Sequence, residues 1–345
     1  MDGSTTPVDL TVSGATVNDL KISKGGSGDT IRLQDNLDID GNLSVDKGTV
    51  DLSANNPTTT LAGNLDIDSS NTTWTKGTGT TTFDGSGTSK VSAQGQNLGK
   101  VAIDGSSKTV KLNTSSIDMT STTIGGDDIF DLNGQNVSTT DFTNNNVFKL
   151  EGGESVTTTN FDTDSGTTTY DGGSDYSGSD LVAGNTYNNL RFNGSGTWSA
   201  STTDVTVNGD FTVEQGVFED GGQVITTYGD WVNNASTTLS GTTTFKGEAS
   251  TIDTGFKEYP SGRSFKDFNN LKIDLNSSEL LTASGSMKIS NRYKLVGGKV
   301  EFSDFLIVDG KARIIGGTST PALAENSFKS DVIVEGSGVF DSASK

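Results

Sequence analysis

One phrase recurs along this chain and restricts its fold more than anything else in the sequence. Residues 79–85 read GTTTFDG, residues 166–172 read GTTTYDG and residues 241–247 read GTTTFKG. β-branched threonines favour extended backbone, an aromatic closes each run, and flanking glycines permit a sharp corner. The phrase therefore reads as a strand followed by a corner, with Phe83 and Tyr170 pointing inward and Thr82 outward. A degraded copy, GSGVFD, carries Phe340.

A second phrase alternates with the first: Leu or Val, one residue, then Ile or Phe, usually introduced by Asn. It stands at Leu20/Ile22, Val101/Ile103, Leu190/Phe192 and Leu271/Ile273, at intervals of 81, 89 and 81 residues. Each aromatic phrase closes a block that the Asn-led phrase opens. The expected organisation is a strand or cap over 1–17 and repeat blocks over 18–97, 98–186, 187–267 and 268–345, the last including a C-terminal cap or docking region.

A finer period decides what a block is. NLDID occurs at 36–40 and 64–68, an interval of 28, and GDF at 209–211 is echoed by GDW at 229–231, an interval of 20. Periods of about 20 to 30 residues mark solenoid coils in which one turn of chain stacks on the next. The expectation is an all-β repeat solenoid, a right-handed parallel β-helix with three or four coils per block and almost no helix. Tandem β-sandwich domains are the alternative, because VNGD at 207–210 and IDGN at 39–42 also suit hairpin turns.

Composition sets the limits. Apolar residues are 30% of 345 and glycines number 44, close to the level at which a chain cannot order itself. Here, however, the apolar residues alternate in short runs closed by Gly, Asn or Asp, which is the pattern of strands. The net charge of −20 and a pI near 4.2 repel a phosphate backbone, so nucleic acid is not an expected partner. The charge is uneven: Glu151 to Phe245 holds thirteen acids against Arg191 alone, whereas twelve bases face eleven acids from Lys257 onward. No stretch approaches the ~20 apolar residues that span a bilayer, and the opening MDGSTTPVDL does not resemble a signal peptide. Zero cysteines exclude a disulfide framework.

GTTTFDG, NNLRFNGSGTW and VTVNGDFTVEQG resemble the β-strand repeat regions of very large secreted bacterial and archaeal surface proteins, many read as parallel β-helices. The resemblance extends loosely over residues 18–340. It implies an extracellular, cell-surface structural or adhesive role and names no ligand or catalytic residue.

Chemistry is thinly provided for. Without histidine there is no usual general base or zinc ligand, so catalysis would rest on carboxylates such as Asp127 with Asp128 or Glu219 with Asp220. Neighbours on a strand point to opposite faces, and these pairs read as solvated turns; no enzyme is expected, a carbohydrate-active β-helix enzyme being the third reading. Alternating acids are the candidate metal ligands: Asp38 and Asp40, Asp66 and Asp68, Asp162 and Asp164, each pair on one side of a strand about 7 Å apart. Stacked across coils they would hold Ca²⁺, the one cofactor considered. Trp74, Trp198, Trp231 and Tyr176 would bind surface glycans in an adhesin if exposed, although Trp74 and Trp198 read as interior plugs. Threonine triplets at 58–60, 80–82, 157–159, 167–169 and 242–244 lack the constant spacing an ice-binding array needs, and seven Asn-x-Ser/Thr sites follow from composition. The expected partner is the chain itself, in head-to-tail or lateral assembly as a filament, surface layer or stalk.

Overall fold

The structure is a computed structural model that describes residues 7–68, 71–248, 250–255, 266–304, 306–321 and 327–341. The first six residues of the expected N-terminal cap and the last four of the C-terminal one lie outside these. The described residues hold 42 strands and no helix, in two compact units, Met1–Thr167 and Thr168–Lys345. Each unit is a parallel β-solenoid, and together they amount to about 16 turns.

In the first unit one strand column runs Leu37–Ile39, Thr59–Leu61, Thr80–Phe83, Lys100–Ile103, Ser121–Ile124, each paired in parallel with the next. A second runs Leu20–Ser23, Leu43–Asp51, Leu65–Ile67, Ser86–Ser92, Ser106–Leu112. The second unit repeats the plan, with Asn189–Phe192, Phe211–Val213 and Trp231–Asn233 in one column and Val205–Val207, Val224–Thr227 and Thr242–Gly247 in another. The interval between stacked residues varies: 18 from Phe130 to Phe148, 20 from Phe211 to Trp231, 23 from Leu20 to Leu43, 28 from Thr243 to Leu271. GDF and GDW are thus true neighbours. The two NLDID copies are not: Leu37 stacks on Thr59, while Leu65 stacks on Leu43 in a different column. Their interval of 28 spans one turn plus a step to another face.

Alternation fills the interior. Phe83, Tyr170 and Phe245 are fully buried, and Thr81 and Thr243 lie on the same inward side. Thr82 is half-buried and points outward. In the second unit Phe211 stacks on Trp231 with ring centres 4.1 Å apart and planes 9° apart, and Phe192 lies 5.8 Å from Phe211. Such pairs add about 0.5 to 1.5 kcal/mol each beyond the area they bury.

Corners need a second device, because a corner breaks the ladder of backbone hydrogen bonds and its amides still require partners. Asn and Asp side chains supply them from the adjacent turn. Asp19 accepts the Asn42 N–H at 2.7 Å, Asn42 accepts that of Asn64 at 3.0 Å, and Asn64 that of Lys90 at 2.7 Å. The second unit does the same through Asn189, Asp210 and Asp230 to the Thr251 N–H, at 2.8, 2.8 and 2.7 Å. Where a glycine precedes the tie, as before Asn42, Asn64, Asp210 and Asp230, close approach forces it: a Cβ on Gly63 would sit 2.1 Å from the Gly41 carbonyl oxygen, and one on Gly229 2.6 Å from that of Gly209. The motif Gly, then Asn or Asp, then a large apolar residue is therefore one turn's corner, tie and core residue in succession.

Candidate functional site

The six candidate metal ligands fall at three separate places. Asp38 lies on the outward face of Leu37–Ile39, where it accepts the hydroxyl of Thr16 from the turn before at 2.9 Å and that of Thr60 from the turn after at 2.6 Å. These two donors, Thr60 more than Thr16, hold its carboxyl below the usual range. Asp40 is exposed at the corner that follows. Asp66 sits on Leu65–Ile67, in the other column, opposite Ser44 and Ser92, with Asp68 beyond it. The pairs Asp38/Asp40 and Asp66/Asp68 therefore do not stack on one another.

Asp162 and Asp164 are close neighbours in the turn after Val156–Phe161. Asp162 Oδ1 accepts the N–H groups of Asp164 at 3.0 Å and Ser165 at 3.2 Å. Its Oδ2 accepts the Asn144 N–H at 2.9 Å and the Ser165 hydroxyl at 2.8 Å. Burial opposes ionisation, but these donors outweigh it and lower the Asp162 pKa, while its proximity raises that of Asp164. Both oxygens of Asp162 are thus occupied by donors of its own turn and of the turn before. The pair borders an open depression of about 440 Å³ shared with Asp141, Asn160 and the stacked rings of Phe142 and Phe161. Among the described residues no group of three or more acidic side chains is placed to hold a metal ion.

The carboxylates read as solvated turns divide instead. Asp127 and Glu219 are at least partly exposed, whereas Asp128 and Asp220 are fully buried. Asp128 accepts the N–H groups of Gly105 and Lys108 from the turn before, at 3.0 and 2.7 Å. Asp220 accepts those of Ser240 and Gly241 from the turn after, both at 2.8 Å. Each is a corner tie carried into the interior, where several charge-assisted bonds offset the loss of water. Sequence reasoning missed this because an Asp in a turn is spelled the same way on either side of the wall.

It also missed Lys108. This residue is fully buried, and its ammonium donates to the Ala62 carbonyl oxygen two turns away. Burial pushes its pKa down, opposed by Asp84 and Asp128. Burial likewise raises Asp84, whose Oδ1 has no hydrogen-bond partner among the described residues. The set is a compensated charge cluster around a buried lysine.

The aromatic candidates turn inward. Trp74, Trp198 and Trp231 are 6%, 1% and 0% exposed, and Tyr176 stacks on Trp198 with centres 6.2 Å apart. None of the indoles presents a face to a sugar. Asn42 and Asn136, two of the glycosylation-type asparagines, use their side chains as corner ties.

What is written on the outside is charge, most densely on the strands Lys266–Leu275, Met287–Gly297 and Lys311–Ile314 of the second unit. Lys272, Lys294 and Arg313 stand in register on three successive turns, with Arg292 and Lys311 in the neighbouring outward column. No protein-family model, no curated protein and no solved structure matches the chain.

Proposed function

We propose that the chain is extracellular structural material, a solenoid that lengthens by adding further copies end to end. The observation that carries this reading is the turn formed by Val332–Val334 and Val339–Phe340. Val332 and Val334 continue the inward column of Ala312 and Ile314, which are 1% and 0% exposed, yet they are themselves 36% and 47% exposed. Val339, paired with Thr318, is 48% exposed. Among the described residues these strands are paired on one edge only, as are Val8–Leu10 and Leu20–Ser23. Unpaired edges backed by apolar side chains are templates for another strand, and a head-to-tail contact whose rotation closes no ring propagates as an open filament. The extracellular setting rests on the resemblance of the repeat phrases to surface proteins.

Sedimentation velocity over a hundredfold concentration range tests the proposal. The wild type grows in size with concentration, and Val334→Lys, which places a charge on the open edge, stays monomeric. A wild type that remains a single monomeric species at high concentration, with and without Ca²⁺, overturns it.

A further inference from the structure

The cationic columns form a grid with an unusual history. Through the second unit one outward column reads Thr186, Thr206, Thr226, Thr244, Lys272, Lys294, Arg313, Ile333, each in register with the next. The parallel column beside it reads Val224, Thr242, Asn270, Arg292, Lys311. Uncharged positions give way to five cations on three turns, and the grid stops at Asp331 and Ile333. Stacked strands lie about 4.8 Å apart, and alternate residues about 7 Å apart along a strand. Two of the five are engaged: Lys272 with Asp274 at 2.8 Å and Arg313 with Glu335 at 2.6 Å. Arg292, Lys294 and Lys311 have no ion pair among the described residues, and Arg292, Lys311 and Arg313 are exposed.

In a chain of net charge −20, such a cluster is held against the trend of the composition. We infer that this face binds a linear acidic polysaccharide, whose anionic groups repeat along an extended chain as the cations repeat along the stack. The inference does not depend on end-to-end assembly. Three observations select this ligand. First, the cations are regularly spaced on a rigid sheet, which suits a polymer of repeating charge better than a folded protein surface. Second, among the described residues no strand column of a further copy repeats acids on three turns: Asp9, Arg32, Asp51 and Lys111, Asp131, Lys149 mix them with bases, and Asp38, Asp66 and Glu219 stand opposite serines and threonines. Third, single-stranded nucleic acids are held by stacking on exposed aromatics, and among the described residues the aromatics of these turns, Phe268, Tyr293 and Phe302, are buried. The acidic turns do not cancel the grid in salt, because charges beyond the Debye length of about 8 Å, under two turns away, are largely screened.

Isothermal titration at low and physiological salt tests the assignment with four probes: a carboxylated linear glycan (alginate oligomers), a sulfated one (dextran sulfate), neutral dextran and single-stranded oligothymidylate. The wild type binds at least one acidic glycan, which of the two identifying the anionic group, and does not bind neutral dextran. The triple variant Arg292→Gln, Lys294→Gln, Lys311→Gln removes the three unpaired cations, melts at the wild-type temperature and binds about tenfold more weakly or worse. Failure to bind either acidic glycan, equal affinity for oligothymidylate, or undiminished binding by the triple variant overturns the inference. So does a triple variant whose sedimentation, rather than glycan binding, changes, since the face would then be a contact between copies.

Discussion

Two stretches of one strand column in the second unit differ on the outside and agree on the inside. From Thr186 to Thr244 the outward residues are threonines; from Lys272 to Arg313 they are cations. The inward partners change only from Tyr187, Val207, Thr227 and Phe245 to Ile273, Leu295 and Ile314, every one of them fully buried. The interior of a solenoid is constrained by the turns above and below, because each side chain packs against its counterpart one strand spacing away. The exterior is less constrained: Thr186, Thr206 and Thr226 are half-buried, and of these outward threonines Thr244 alone is covered. What such a protein recognises can therefore change along its length without a change of fold.

The comparison breaks most severely at the interior of the threonine-coated stretch. Trp231 is stacked on Phe211 and lies 6.1 Å from Phe245 and 5.8 Å from Phe268, centre to centre. Trp231→Ala leaves a void that a rigid stack cannot close, and is expected to cost about 3 to 5 kcal/mol. Urea unfolding should show the midpoint fall accordingly. A loss below about 1 kcal/mol would mean that the interior is not packed turn on turn.

How far the sequence disclosed this can be argued residue by residue. The inward aromatics Phe83, Tyr170 and Phe245 were legible because glycines and threonines frame them, and the spacing of Phe211 and Trp231 revealed one turn directly. The repeated NLDID misled, since an interval of 28 was read as a turn when it joins two faces. Asp128 and Asp220 were illegible because inward and outward carboxylates share the same local spelling. The cation grid escaped for a different reason: Lys272 to Lys294 is 22 residues and Lys294 to Arg313 is 19. With turn lengths that drift, no fixed period brings those residues together. Only the hydrogen-bond register does.

Acid probes the ties between turns and should sharpen the contrast at smaller energy. Asp180 is half-buried and accepts the Thr202 N–H at 2.7 Å, the Thr202 hydroxyl and the Thr203 hydroxyl at 3.0 Å. Burial pushes its pKa up, but these donors outweigh burial and bring it from 3.8 to about 2. A carboxyl whose folded pKa lies below its unfolded one contributes stability that is complete above about pH 4 and lost as the pH falls towards 2. With solvent screening the contribution is about 1 kcal/mol. Asp180→Asn should flatten the stability profile by that amount between pH 4 and pH 2. A variant profile parallel to the wild type across this window would show that the tie carries no linked stability.

The smallest expected effect on stability is the sharpest test of the contrast, because it exchanges the two exteriors. Thr226 and Lys294 occupy the same outward column, half-buried on strands whose inward residues Ile225 and Leu295 are both fully buried. Thr226→Lys lays a flexible stem along the sheet with its ammonium in water, and Lys294→Thr replaces a long side chain by one that favours extended backbone. Neither touches a corner tie or the core, so each single variant and the double should unfold within about 0.5 kcal/mol of the wild type. Thermal melts of all three would check this. If the double variant melts as the wild type does while its acidic-glycan binding weakens, fold and recognition are separable on this surface. A loss of several degrees in either single variant would instead mean that the outer face takes part in holding the turns together.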